Sequence, residues 1–93
     1  MKKILILPSF GRSIERLNRQ ERKQLTKSLH AFNDFVITGK APFGFRFKKI
    51  DYDKYEFRVN IRLRLIVKEE GDTFYLVTVG SHDKIKRYLR NYR

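Results

Sequence analysis

The sequence predicts an α+β domain with an N-terminal strand, an α-helical hairpin, a three-stranded antiparallel meander that completes a small sheet, and a short C-terminal helix. Two patterns support this fold class. Apolar and polar residues alternate along Tyr55–Val59 and Leu63–Val67, as in strands with one buried face. Between Leu25 and Val36 apolar residues recur every three or four positions, as on a helix with one buried side. A chain of 93 residues suits one modest core, so we expect residues 1–93 to form a single domain.

The N-terminal half is predicted to contain a strand and two helices. The apolar run Lys3–Leu7 suits either a strand buried on both faces or a strand at a sheet edge, and it is too short for a signal peptide or a membrane span. Ser9 is predicted to cap a short first helix. Asn18 followed by Glu21 predicts a capping box at the start of a second helix.

The second helix is predicted to end at Gly39, with Pro42 as a stop shortly after it. The chain is then expected to re-enter the sheet, because three phenylalanines alternate with other residues. They are Phe43, Phe45 and Phe47, and they alternate with Gly44, Arg46 and Lys48.

The next two strands form a predicted hairpin with an unusual pair of charges. Aligning Tyr55–Val59 with Leu63–Val67 puts their apolar residues on one face and leaves residues 60–62 as the loop. In this register Arg58 lies directly across from Arg64 on the other face. Like charges in that position destabilise a sheet, so the pair indicates a bound anion.

The meander is predicted to continue through a turn at residues 69–72 into a third strand, Thr73–Val79. We predict that Leu65 pairs with Val77 on the core face and that Arg64 meets Thr78 on the other face. Ser81 is predicted to cap the last helix. This helix would cover the apolar end of the outer face with residues at helical spacing, which are Ile85, Tyr88, Leu89 and Tyr92.

The charge of the chain favours a polyanionic partner. Lysine and arginine number 22 against 10 aspartates and glutamates, for a net charge of +12. Such charge increases the affinity for nucleic acid, because lysine and arginine contact phosphates and release counterions. There are two alternatives. The charge serves only solubility, or an acidic protein partner neutralises it. No cysteine is present, which excludes disulfides and thiolate metal sites and fits a reducing compartment.

Common catalytic motifs are missing from the sequence. It has no glycine-rich phosphate loop, no nucleophile elbow and no histidine pair at metal-ligand spacing, so we predict neither a metal site nor a cofactor. Of the two histidines, His30 is expected to be structural or exposed. His82 follows the third strand and is expected at a helix N-terminus beside Arg64.

An ordered set of segments resembles the RelE/ParE toxin superfamily, the small basic toxins of toxin–antitoxin pairs, over nearly the full length. The segments are Phe47-Lys48-Lys49-Ile50, Tyr55-Glu56-Phe57-Arg58-Val59, Leu63-Arg64-Leu65-Ile66-Val67 and Val79-Gly80-Ser81-His82-Asp83, followed by Tyr88. The RelE-like branch cleaves messenger RNA in the ribosomal A site, whereas the ParE-like branch poisons DNA gyrase. The residues of this chain favour the first.

The resemblance implies a metal-independent endoribonuclease in which the ribose 2′-OH attacks the neighbouring phosphate. Arg64 stands where the RelE-like branch keeps its principal arginine, and with Arg58 it would stabilise the negative charge that develops. His82 is the candidate acid or base, at a position where the branch often has arginine or lysine. Glu56 is either the alternative base or an ion-pair partner of Arg58. Tyr88 matches a tyrosine important in some members but is equally suited to the core.

Further basic residues are candidate RNA contacts or simply a solvated face. They are Lys48, Lys49, Lys84, Lys86, Arg87 and Arg90. The resemblance also implies a cytoplasmic protein with no membrane partner, which acts on mRNA in the ribosomal A site, contacts ribosomal RNA and is neutralised by an acidic, partly disordered antitoxin. The alternatives are a ParE-like gyrase inhibitor and a non-catalytic nucleic-acid-binding module of the same fold.

Overall fold

The computed structural model describes residues 2–40 and 44–91. Pro42, Phe43 and Tyr92, to which the sequence assigns roles, lie outside these ranges. The elements in chain order are β1 (Lys3–Ile6), α1 (Pro8–Ile14), α2 (Arg19–Thr38), β2 (Lys48–Lys49), β3 (Lys54–Arg58), β4 (Leu63–Glu70), β5 (Thr73–Ser81) and α3 (His82–Asn91). The predicted α+β fold with a helical hairpin, a meander and a C-terminal helix is confirmed.

The strands form one mixed sheet in the order β1-β5-β4-β3-β2. β1 pairs with β5 in parallel, while the other neighbours are antiparallel. Of the two positions left open for the first strand, the sheet edge is the one observed. Its residues Leu5 and Ile6 are 48% and 63% exposed. No helix in the described ranges is long and apolar enough to span a bilayer.

The ends of α2 are specified locally, as predicted. The Glu21 backbone N–H donates to Asn18 Oδ1 at 2.8 Å, and the Asn18 N–H donates to Glu21 Oε1 at 3.0 Å, which completes a capping box. At the other end Gly39 adopts φ of 77°, a left-handed conformation in which glycine avoids a Cβ clash.

The predicted cap of α1 by Ser9 is wrong. Leu7 occupies the N-cap position, and the side chain there makes no capping hydrogen bond. Pro8 begins the helix, where its missing N–H has no consequence. The Ser9 hydroxyl instead donates to the Val77 carbonyl at 2.6 Å, so it fastens α1 to the centre of β5.

The core lies between the helical hairpin and one face of the sheet and is unusually aromatic. Phe57 of β3 is fully buried, with its ring 5.1 Å from that of Phe32 on α2 and 4.5 Å from that of Phe45. The predicted hairpin register is confirmed, because Phe57 pairs with Leu65 and Tyr55 with Val67. This alternation sends every second residue of β3 and β4 to the opposite face.

The predicted pairing of β4 with β5 is wrong. Leu65 pairs with Val79 rather than Val77, and Arg64 lies opposite Gly80 rather than Thr78. The turn needs only Gly71 and Asp72, since the φ of Gly71, 60°, permits a tight reversal. A β-bulge between Ile66 and Val67 then inserts one extra residue into β5 and changes which side chains face the core.

The opposite face of the sheet is covered at one end by α3, as predicted. Ile66, Val77 and Ile85 form a small buried cluster, against which Tyr88 and Leu89 pack. The Ser81 hydroxyl accepts a hydrogen bond from the Lys84 N–H at 3.3 Å, so the predicted cap of α3 is also observed. Within residues 2–40 and 44–91, α3 is the helix that packs on this face.

Acidification should weaken the fold partly through Glu69. The Lys2 ammonium, 2.6 Å away, and the Tyr55 hydroxyl hold the pKa of Glu69 below its usual value, although partial burial opposes them. A carboxylate with a depressed folded-state pKa stabilises the fold above its unfolded pKa of about 4.3, and that stability is lost as pH falls through the lower folded value.

We therefore expect Glu69→Gln to destabilise the protein at neutral pH by about 0.2–1 kcal/mol, the range for partly exposed ion pairs. The difference between the variant and the wild type should shrink on acidification. Urea unfolding over a series of pH values measures this, and parallel stability curves for the two proteins would contradict it.

Candidate active site

The open part of the outer sheet face carries the two arginines that the sequence places opposite each other. Arg58, the last residue of β3, pairs with Arg64 of β4. The Arg58 Nε is buried and has no hydrogen-bond partner in the described residues. A buried donor without an acceptor is unfavourable, so the site is suited to an anion that would supply one.

Arg64 is held in place by the loop between β3 and β4. Its Nη1 donates to the backbone carbonyls of Asn60, at 3.3 Å, and Ile61, at 3.1 Å. The Asn60 side chain orders this loop, because its Oδ1 accepts from the N–H groups of Arg62 and Leu63 at 2.8 and 2.7 Å. One end of the guanidinium is thus fixed, which leaves its remaining N–H groups for a ligand.

The arginines line a cavity of about 160 Å³. Its lining residues are Arg46, Phe47, Lys48, Glu56, Arg58 and Arg64. Glu56 is only 6% exposed. Its Oε2 lies 3.6 Å from the Lys48 Nζ, so its ion-pair partner is Lys48 rather than Arg58, the partner assigned from the sequence.

The cavity has an excess of positive charge, since four cationic side chains surround one carboxylate. Burial, together with the neighbouring Arg64 and Arg46, lowers the pKa of Arg58, while Glu56 acts in the opposite direction. Arginine remains charged even so. The cations therefore repel one another in the free protein, and a phosphate would relieve that repulsion and bind in the forked geometry of guanidinium groups.

Arg46 belongs to this cavity but was not among the residues selected from the sequence. It has φ of 54°, a left-handed conformation that few residues other than glycine adopt. A usable signal was present. Arg46 and Lys48 alternate with Phe45 and Phe47, and a period of two sends them to the face opposite the aromatic core.

Several predicted site residues lie away from this cavity. His82 is exposed as the first residue of α3 and does not line the cavity. Lys49 pairs with Tyr55 and lies outside the lining. Tyr88 packs on the apolar cluster beneath α3. The remaining candidates lie on α3, with Lys84 partly buried and Lys86, Arg87 and Arg90 exposed.

Comparison with known proteins supplies neighbours in structure but not in sequence. No family model matches the chain, and no curated protein sequence matches it. A chain of the RelB–RelE antitoxin–toxin complex from Methanococcus jannaschii superposes with a TM-score of 0.68 at 17% identity, covering 90% of this chain and 96% of that one. The fold is therefore RelE-like.

Two further structures agree with this RelE-like fold. A chain of the Escherichia coli DinJ–YafQ complex has a TM-score of 0.69 at 14% identity, over 91% of this chain and 98% of that one. The YoeB dimer from Staphylococcus aureus has a TM-score of 0.65 at 15% identity, over 87% and 97%. The resemblance predicted from the sequence is confirmed at the level of the fold.

Proposed function

We propose that this protein is the toxin of a toxin–antitoxin pair and a metal-independent, ribosome-dependent mRNA endoribonuclease. The observation that carries the proposal is the cavity in which Arg46, Lys48, Arg58 and Arg64 surround the buried Glu56. The RelE-like fold supports the toxin role, because its structural neighbours include chains of antitoxin–toxin complexes.

The proposed reaction is attack of a ribose 2′ oxygen on the adjacent phosphorus. The bond from O2′ to phosphorus forms as the bond from phosphorus to O5′ breaks, which leaves a 2′,3′-cyclic phosphate and a 5′-hydroxyl. Negative charge on the phosphate oxygens increases during the attack. Arg58 and Arg64 are positioned to stabilise it, and fixed cations in a partly desolvated cavity are effective at this task.

Two protons must also move in this reaction. We assign Glu56 as the acceptor of the 2′-OH proton, since it is the carboxylate in the cavity lining. Lys48, whose Nζ lies 3.6 Å from the Glu56 Oε2, can donate a proton to the departing O5′ and recover one from Glu56. His82 remains the alternative acid or base. This role requires that the bound RNA extends to the start of α3.

The expected partners follow from charge and exposure. The net charge of +12 supports contacts with mRNA in the A site and with ribosomal RNA, and it supports an acidic, partly disordered antitoxin. Edge strand β1 and the apolar groove between it and α2, which includes Ile6 and Leu29, offer such an antitoxin a place to dock. A function on ribosomes would place the protein in the cytoplasm.

Glu56→Gln and His82→Gln distinguish the two candidate bases. We expect Glu56→Gln to lower the rate of messenger cleavage by about 10²–10⁴-fold, the usual contribution of general acid–base catalysis. His82→Gln should have a much smaller effect. The rates are measured in single turnovers on programmed ribosomes, and a larger loss in His82→Gln would transfer the role to histidine.

The gyrase alternative is tested with the same proteins in cells. A nuclease should leave messenger ends in phase with codons, and Glu56→Gln should abolish both these ends and toxicity. Toxicity that persists in the variant, with accumulating DNA breaks and intact messengers, would instead support the ParE-like function.

A further inference from the structure

A second basic cleft, of about 170 Å³, lies at the end of the sheet where β5 leads into α3. The residues of its lining that matter here are Arg16, Glu21, Arg62, Leu63, Gly80 and Lys84. None of the functional steps above uses this cleft. Its lining comes from α1, α2 and the turn between them, from the β3–β4 loop, from β4 and β5, and from the start of α3.

The cations of this cleft are only partly neutralised. Glu21 is occupied, because it receives the Asn18 N–H of the capping box and forms an ion pair with Arg62. Arg16 and Lys84 have no carboxylate partner in the described residues. Burial, then Arg16 and Arg87, lower the pKa of Lys84, so these positive charges repel one another where they stand.

The backbone makes room for Lys84 at this position. A Cβ added at Gly80 would lie 2.6 Å from the Lys84 Cδ, so the methylene groups of Lys84 occupy the space that a side chain at position 80 would fill. The lysine is therefore packed against β5 rather than extended into solvent, and its ammonium group is carried at the cleft.

The second cleft is next to the cavity of Arg58 and Arg64. Gly80, beneath Lys84, is the residue directly across from Arg64. Directly opposite residues on paired strands share a face and have Cβ positions about 5 Å apart, so Lys84, packed over Gly80, is close enough to Arg64 for one extended polyanion to reach both.

We propose that the cleft of Arg16 and Lys84 is a second phosphate subsite, which holds the phosphodiester next to the one bound by Arg58 and Arg64 on the same RNA strand. This inference rests on the proposed function, since it assumes that RNA is the ligand of the first cavity. It assigns Arg16 and Lys84 to strand positioning rather than to the chemical step.

The test compares two short probes that cannot be cleaved, a 2′-O-methyl dinucleotide with one phosphodiester and a 2′-O-methyl trinucleotide with two. Affinities are measured by NMR titration. Wild type should bind the trinucleotide about tenfold more tightly than the dinucleotide, because one additional hydrogen bond to a charged group contributes roughly that factor in affinity. Lys84→Gln and Arg16→Gln should each remove most of this advantage and leave dinucleotide binding unchanged.

Two further variants separate position from charge. Gly80→Ala keeps every charge but displaces Lys84, so it should also reduce the trinucleotide advantage. Lys23→Gln removes an exposed charge from α2, outside both clefts, and should leave the trinucleotide advantage unchanged. Lys84→Gln should also decrease the salt dependence of trinucleotide binding by about 0.7 in the logarithmic slope, the value for one phosphate on a single strand.

The outcomes keep this inference separate from the nuclease proposal. If Lys84→Gln weakens both probes equally, or neither, the subsite is wrong whether or not the protein cleaves RNA. If the trinucleotide advantage depends on Arg16 and Lys84 but messengers are not cut, the subsite stands and the nuclease proposal fails. Thermal unfolding of each variant checks the fold, and relief of repulsion should leave Lys84→Gln at least as stable as wild type.

Discussion

Replacing Arg64 by glutamine should lower the rate of messenger cleavage by about 10²–10³-fold, the effect of removing one positioned donor from a developing anion. The expected size depends on how firmly the guanidinium is held. The carbonyls of Asn60 and Ile61 fix one of its edges, so little reorganisation is needed when the phosphate charge develops. Single-turnover cleavage on programmed ribosomes measures the chemical step.

The matched control is Lys23→Gln, which removes one exposed positive charge from α2 outside the cavity. It should leave the single-turnover rate within a few-fold of wild type. Ribosome binding by Arg64→Gln should fall much less than its cleavage rate. Equal losses in binding and cleavage would mean that Arg64 only attracts RNA, and the catalytic assignment would be wrong.

Phe57→Ala should lower the free energy of unfolding by about 3–5 kcal/mol, the usual effect of truncating a fully buried phenylalanine. Its ring lies against Phe32 and Phe45 and is fully excluded from solvent, so the substitution removes apolar burial and leaves a cavity. Urea unfolding followed by circular dichroism gives the value. A loss this large is a substantial fraction of the stability of a small domain.

Tyr52→Ala provides the comparison for this measurement. Tyr52 is 88% exposed, so its truncation should change the free energy of unfolding by less than about 0.5 kcal/mol. A loss below about 1 kcal/mol in Phe57→Ala would show that the aromatic cluster can close around the vacancy, contrary to the tight packing described above.

The features that could be predicted from the sequence are those that local patterns determine. The hairpin of β3 and β4 has clear alternation around a short loop, so its register and the opposition of Arg58 and Arg64 follow from the sequence alone. The capping box at Asn18 is similarly local. The parallel pairing of β1 with β5 was not predicted, because no local sequence pattern identifies which strand of the sheet β1 pairs with.

The errors arise where long-range contacts decide the outcome. A β-bulge at Val77 shifts the register of β5 against β4 by one residue. The carbonyl of Val77 also accepts the hydrogen bond from the Ser9 hydroxyl of α1. The sequence of β5 alone indicates neither the bulge nor this contact. His82 begins α3, as expected, but it is exposed and outside the lining of the arginine cavity, and its role as acid or base stays a prediction. Arg46 was missed although its alternation with Phe45 and Phe47 was a usable signal for its place on the outer face.

The alternation of β3 and β4 has a consequence for the integrity of the proposed site. Phe57 and Arg58 are consecutive residues, and so are Arg64 and Leu65. In each pair the apolar residue faces the core and the arginine lines the cavity on the other face. A slip of either strand by one residue would turn its arginine towards the aromatic interior and expose its apolar side chains. Burial of the apolar residues therefore selects the strand register that also places the arginines on the outer face.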